Sequence, residues 1–272
     1  MSKFETVLNA IIEEGNYDAK PVEVIKNGIT YKGVSVKPSN GNIGVNFYLD
    51  DSYEDWGEDE ITDFIYDRLQ NIPPINVEEQ LYDFDNLTIG VKAQAANLPV
   101  SEGVVYKQVL DVLLIPVIVI GSFDDGMATA KITESMLASW DKTLDEVFDK
   151  IDTSYTFKTM REVLSEMIPG FEETIPVDDG PQMNILSNKD KMNGGSLIFL
   201  ENVQKDIYEK MGGKYVVLPS SVHESIVLPM NNEDDIPSLR AMVGEVNDTQ
   251  VSDDDRLTYS VYVYDGTELK VA

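Results

Sequence analysis

The stretch "KYVVLPSSVHESIVLP", Lys214 to Pro229, sets the architecture. Two apolar runs rich in Val, Ile and Leu flank a short polar step, Pro219-Ser220-Ser221. β-branched runs of this length suit strands, and serine hydroxyls suit a tight turn because they can hold nearby backbone groups. The stretch therefore predicts two strands joined by a polar turn, in a largely antiparallel sheet. It also contains the chain's single histidine, His223.

Working outward, strands and helices alternate. "QMNILSN" (182–188) and "GSLIFL" (195–200) predict strands, and "NVQKDIYEKMGG" (202–213) predicts a helix closed by Gly212-Gly213. Downstream, "IPSLRAMVGEVND" (236–248) predicts a helix and the tyrosine-rich "LTYSVYVYD" (257–265) a last strand. Toward the N-terminus, Phe4, Val7, Leu8, Ile11 and Ile12 form a helical stripe that ends at Gly15. Asn27-Gly28, between alternating residues in "VEVIKNGITYKGVSV" (22–36), is the strongest short hairpin signal. "IGVNFYL" (43–49) predicts a third strand. Ile61, Phe64, Ile65, Leu69 and Ile72 share one helical face.

In the middle, "LTIGVKAQ" (87–94), "DVLLIPVIVIG" (111–121) and "MATAKIT" (127–133) predict strands, with Pro116 implying an edge or a bulge. Helices are predicted over 134–151 and 156–168, with Trp140 anchoring the connection. The fold class is α+β: largely antiparallel sheets with packed helices. Residues 1–168 form an N-terminal region, the acidic, proline-containing 169–182 a loop or linker, and 183–272 a C-terminal region carrying Pro-Ser-Ser-Val-His-Glu. Two lobes or one continuous domain both satisfy this pattern.

Charge excludes whole classes of function. Forty-nine acidic against twenty-one basic residues give a net charge of −28, with the lysines scattered singly. Direct nucleic-acid binding is disfavoured by that field. With no cysteine, disulfides and thiolate metal sites are absent. The longest apolar run is too short to span a bilayer and contains Asp111. The N-terminal residues are acidic where a signal peptide needs basic ones. A cytoplasmic protein without cofactor or metal is the expectation.

Motifs of defined chemistry fail in detail. His223-Glu224 begins like a zinc-protease helix, but Val227 stands where the second histidine belongs. "MGGKY" lacks the spaced glycine of a phosphate loop, and "DDSYEDWGEDE" has its glycine out of register for calcium. Ser139 and Lys142 make an S-x-x-K without its companion motifs.

The catalytic candidates are Ser221, His223 and Glu224, as nucleophile, base and orienting acid, with Ser220, Asn188 and Asn247 as binding candidates. In an extended strand His223 and Glu224 point to opposite faces, whereas Ser221 and His223 share one. The alternatives are a histidine in a binding site and one that is only structural, hydrogen-bonded at the start of the strand; the structural role is preferred. Trp56, with Asp50, Asp51, Glu54 and Asp55, is a candidate for partner recognition. The competing role for Trp56 is a staple onto the following helix.

The string "NILSN…NGGSLIFLENVQKDIYEKMGGKYVVLPSSVHESIVLP…LRAMVGEVNDTQV…LTYSVYVYD" resembles a bacterial family known as a domain of unknown function. The resemblance rests on Asn188, Gly194-Gly195, Pro219 to Glu224, Val243 to Asn247 and Tyr262 to Asp265, and extends to "VIKNGITYKGVSV…NIGVNFYLDDSYEDW". It implies a context, gut clostridia-type bacteria and their mobile elements, and no activity. The expectation is a non-enzymatic protein that binds a macromolecular partner through an acidic surface. The partner would be a basic, nucleic-acid-handling protein, and the role that of a DNA mimic or counter-defence protein. The alternative is a hydrolase using the serine, histidine and glutamate of residues 220–224.

Overall fold

Asn27 and Gly28 both take positive φ, 47° and 83°, as a two-residue hairpin turn matched to strand twist requires. They join β1 (Tyr17–Lys26) to β2 (Ile29–Pro38), antiparallel from Lys26 opposite Ile29 to Tyr17 opposite Pro38. β3 (Val45–Tyr48) adds antiparallel to β2. A Cβ on Gly33 would lie 2.0 Å from the carbonyl oxygen of Phe47, so β3 can approach only a glycine there. Helices α1 (Lys3–Glu13) and α2 (Glu58–Gln70) bring Val7, Ile11, Ile61, Ile65 and Leu69 onto Val34, Val36 and Phe47. Ile12, expected on the buried stripe, is exposed instead; the core of this small unit is filled by Val7 and Ile11, one turn apart.

The computed structural model describes residues 3–13, 15–39, 45–48, 55–70, 83–123, 126–168, 170, 182–230 and 235–272. It divides into two compact units, Met1–Leu87 and Thr88–Ala272. The division falls at 87/88, away from the 169–182 segment, which lies outside the described residues except for Gly170 and Gln182. The strands on either side of that segment pair in one sheet.

In the second unit, β4 (Ile89–Ala95), β5 (Lys107–Val109), β6 (Val112–Phe123) and β7 (Gly126–Lys131) make one antiparallel sheet around β6. Pro116 sits in this central strand and not at an edge. Its carbonyl accepts from Ile132, so its nitrogen faces the same way, into the gap where pairing with β5 has ended and pairing with β7 has yet to begin. No ladder bond is lost. The register shift in β6 comes later, between Val119 and Gly121.

The expected helix over 134–151 is two, α3 (Glu134–Trp140) and α4 (Leu144–Asp149). Asp141 ends the first in a left-handed conformation, and Thr143 with Glu146 starts the second as a capping box. Trp140 is buried at the junction. The start of the expected 156–168 helix is instead β8 (Thr156–Thr159), before α5 (Met160–Met167) with its own Thr159–Glu162 box.

A six-stranded antiparallel sheet runs β13-β12-β10-β11-β9-β8, with β9 Asn184–Ser187, β10 Tyr215–Leu218, β11 Ser225–Pro229, β12 Tyr262–Tyr264 and β13 Leu269–Val271. β10 is central and buried on both faces. Its Val216 and Leu218 pack with Val243 of α7 (Ile236–Thr249), while Tyr215 donates to the Gln204 carbonyl of α6 (Glu201–Met211), 3.1 Å away. "GSLIFL", expected as a strand, lies in a 3-10 helix, Gly194–Phe199, and "LTYSVYVYD" is strand only over its last residues. The architecture is α+β, with three antiparallel sheets among the described residues.

Candidate functional site

The Pro219–Glu224 connection between β10 and β11 is held from three sides. Within it, the Ser221 N–H donates to the Glu224 carbonyl at 3.2 Å, and Ser221 Oγ accepts the His223 backbone N–H at 3.0 Å. From β9, Ser187 Oγ donates to the His223 carbonyl at 2.8 Å. From the 3-10 helix, the Gly195 N–H donates to the Val222 carbonyl at 3.1 Å. Gly195 is tightly fitted: a Cβ there would stand 2.6 Å from the Ser221 carbonyl oxygen and 3.0 Å from that of Val222. From the C-terminal side, the Val222 N–H donates to the Asp255 carbonyl at 2.7 Å.

Both ring nitrogens of His223 have partners. Nδ1 accepts the backbone N–H of Asn193 at 3.1 Å, and Nε2 lies 3.0 Å from Asp255 Oδ1. Only an unprotonated Nδ1 can receive that N–H, so the neutral ring carries its proton on Nε2 and donates it to Asp255. Asp255 also accepts from Ser252 Oγ at 2.9 Å. The side chain of His223 is 29% exposed and that of Asp255 40%.

The candidates from sequence are thus only partly brought together. Ser221 and His223 meet, but through the histidine's backbone and not its imidazole. Glu224 turns to Ser220, whose Oγ is 3.5 Å from its carboxylate. Asn188 closes its own loop, with Nδ2 donating to the Met192 carbonyl at 2.7 Å and Oδ1 accepting the Met192 N–H at 3.0 Å. Asn247 is buried in α7, donates to the Thr258 carbonyl at 2.8 Å, and accepts at its own carbonyl from Arg256. It steadies the segment that carries Asp255.

The sequence profile of a family of unknown function, DUF5688, matches residues 1–266. The chain belongs to DUF5688. No curated protein and no solved structure matches the chain significantly.

In this DUF5688 member a cleft of about 110 Å³ lies beside the His223 clasp. Gly90 leaves its floor open to Val117 and Val119, and the opposite wall is the loop from Asn188 to Asn193. Asp152, Ser154 and Lys189 also line it. Hydrogen bonds from Ser154 hold the Asp152 carboxyl below the usual carboxylate range, helped by the charge of Lys189. Among the described residues, no group of three or more His, Cys, Asp or Glu side chains gathers to hold a metal ion. Nor is any described helix long and apolar enough to cross a membrane.

In the first unit, Trp56 packs edge-on against Phe64 of α2, centroids 5.7 Å apart, and remains 37% exposed. The Phe64 contact ties it to the helix that follows. Asp55 is exposed beside it, while Asp50, Asp51 and Glu54 lie outside the described residues. Sequence reasoning missed Asn193 and Asp255. The first acts through its backbone, which leaves no residue-type signal, and the second lies 32 positions from its histidine.

Proposed function

We propose that this protein is a non-enzymatic cytoplasmic protein that engages a basic, nucleic-acid-handling partner through its acidic surface. The observation that carries the reading is the outer side of α2. Asp59, Glu60, Asp63 and Asp67 are exposed there, opposite buried Ile61, Ile65 and Leu69, and Glu58 is exposed in the first turn. At 1.5 Å per residue the carboxylates from Asp59 to Asp67 stand about 1.5, 4.5 and 6 Å apart along the axis, an uneven row of negative charge on one side of the helix. Trp56 adds an aromatic contact at the helix start. The net charge of −28 extends the same field over the molecule.

The hydrolase alternative draws less support, because the imidazole is committed to Asn193 and Asp255 and the Ser221 hydroxyl to a backbone N–H. The mobile-element, DNA-mimic form of the reading rests on the sequence resemblance together with the net charge of −28.

The test is affinity capture at low and high salt, with duplex DNA as competitor. The expected result is a basic DNA- or RNA-binding protein, held at low salt, released at high salt and displaced by duplex DNA. Binding indifferent to salt, or partners that duplex DNA does not displace, would sink the DNA-mimic reading.

A further inference from the structure

His223 joins three separate segments through one side chain, and its two ring nitrogens hold two of them by opposite chemistry. Nε2 gives a proton to the Asp255 carboxylate, while Nδ1 takes one from the Asn193 amide. Protonating the ring affects these contacts differently. An imidazolium is a donor at both nitrogens. At Nε2 the bond to Asp255 survives and becomes an ion pair. At Nδ1 two N–H groups would face each other, so the Asn193 contact must break.

From this we infer that His223 is a one-sided acid-sensitive latch: protonation releases the 188–193 loop, while the 252–256 turn stays fastened. Histidine is suited to this because its charge ordinarily changes between about pH 5 and 8. The proposal goes beyond partner binding by the acidic surface and does not depend on it.

The Asn193 carbonyl stays bonded to Ser196, whose Oγ donates to it at 2.7 Å, so protonation frees the Asn193 amide and the residues before it. Lys191 and Asn193 both sit at positive φ, 53° and 61°, a conformation that non-glycine residues hold at some cost. On the far side, Asp255 is held by Ser252 and by the Val222 N–H donated to its carbonyl, and neither bond involves the imidazole. Each segment that meets the ring carries charged groups. They are Asp255, Asp254 and the Arg256–Asp253 pair from the 252–256 turn, Glu224 from its own turn, and Lys189, Asp190 and Lys191 from the loop. Because the loop forms one wall of the Gly90–Val117–Val119 cleft, its release would widen that cleft.

The single histidine makes the test direct. Nitrogen-15 NMR of the intact chain should show the Nε2–H tautomer at about pH 8, with the Asn193 amide protected from exchange. On acidification, as the ring gains its second proton, Asn193 protection should fall ~10-fold beyond the intrinsic pH effect, as loss of one ordinary hydrogen bond implies. Amides of β10 and β11 should keep theirs. In Asp255→Asn, which removes the carboxylate but keeps an acceptor, release should move to lower pH. An Nδ1–H tautomer at high pH, unchanged Asn193 protection while the ring titrates, or a ring that stays neutral down to about pH 5 would each overturn the latch. The wild-type measurement decides even if the variant does not fold.

Discussion

Tyr262 donates its phenolic proton to Asp111 across a separation of 151 residues, at 2.7 Å, tying β12 to the turn between β5 and β6. Ser260 Oγ donates to the other carboxylate oxygen at 2.7 Å, and Thr258 Oγ1 lies 2.9 Å from the phenol. Tyr262 is fully buried. Removing one partner of such a bond should cost more than an exposed contact, because the group left behind is desolvated. Tyr262→Phe is expected to lower stability by about 2 kcal/mol, and Asp111→Ala by at least as much. Urea unfolding of both singles and the double checks this: a coupling near zero would mean that the pair holds nothing together.

The same tyrosine fixes the sign of an alkaline effect. Burial pushes Tyr262, and likewise Tyr215, far above the ordinary tyrosine range. Above about pH 10 the unfolded chain loses these protons while the folded chain keeps them. Stability is therefore complete below pH 10 and declines above it, by about 1.4 kcal/mol per pH unit for each such tyrosine. Tyr262→Phe should remove one unit of that slope. A variant with the wild-type slope between about pH 10 and 11 would contradict the assignment.

Two glycines make opposite demands. A Cβ at Gly195 would meet three backbone oxygens of the His223 turn, at 2.6, 3.0 and 3.1 Å, whereas one at Gly244 within α7 meets nothing within 4 Å. Gly195→Ala should destabilise by about 3 kcal/mol or more, since backbone must move. Gly244→Ala should stabilise by roughly 0.5–1 kcal/mol through helix propensity alone. Thermal or urea midpoints of the pair decide it, and a neutral Gly195→Ala would show that the turn yields easily.

These contrasts show where local pattern suffices and where it fails. The β1–β2 turn was legible because Asn27-Gly28 determines its own dihedral angles. The β10–β11 pair was legible because both runs are β-branched and the step between them is polar. The 3-10 helix at Gly194–Phe199 was not. "GSLIFL" is as apolar as a strand, and its conformation is set by Gly194 and Gly195 lying against Asn188 and the His223 turn, far away in sequence. Pro116 misled for a related reason: a proline is tolerated in a central strand when two short neighbours leave a gap at its nitrogen. The histidine was singled out from sequence with a structural role preferred for it, and both of its ring nitrogens have hydrogen-bond partners. Its true partners were invisible, one being a backbone amide and the other an aspartate in the acidic run 253–255.

The surface chemistry has a simple local test in Asp265. Lys270 and the backbone N–H groups of Glu268 and Thr267 hold its carboxyl down at about 2. The Lys270 ammonium is 3.0 Å away. Lys270→Met should raise the Asp265 titration midpoint toward the ordinary aspartate range while leaving the two N–H contacts, so the rise should be partial. Carbon-13 NMR of the carboxyl reads it, and an unmoved midpoint would assign the whole depression to the turn backbone.

Partner binding by α2 must be separated from the general pull of a chain at −28. Neutralising Asp59, Asp63 and Asp67 to Asn removes three charges from the outer side of the helix and touches none of the buried Ile61, Ile65 and Leu69. A matched variant, Asp149→Asn with Glu209→Gln and Glu245→Gln, removes the same charge from exposed positions in the second unit. If the field alone recruits a basic partner, the two variants weaken binding equally. If α2 is the contact, its variant alone should lower affinity by about 10-fold or more at low salt and flatten the dependence on salt. Both should unfold within about 0.5 kcal/mol of wild type, because exposed carboxylates contribute little to stability. Equal weakening would leave the long-range field as the basis of recognition and remove α2 as its centre.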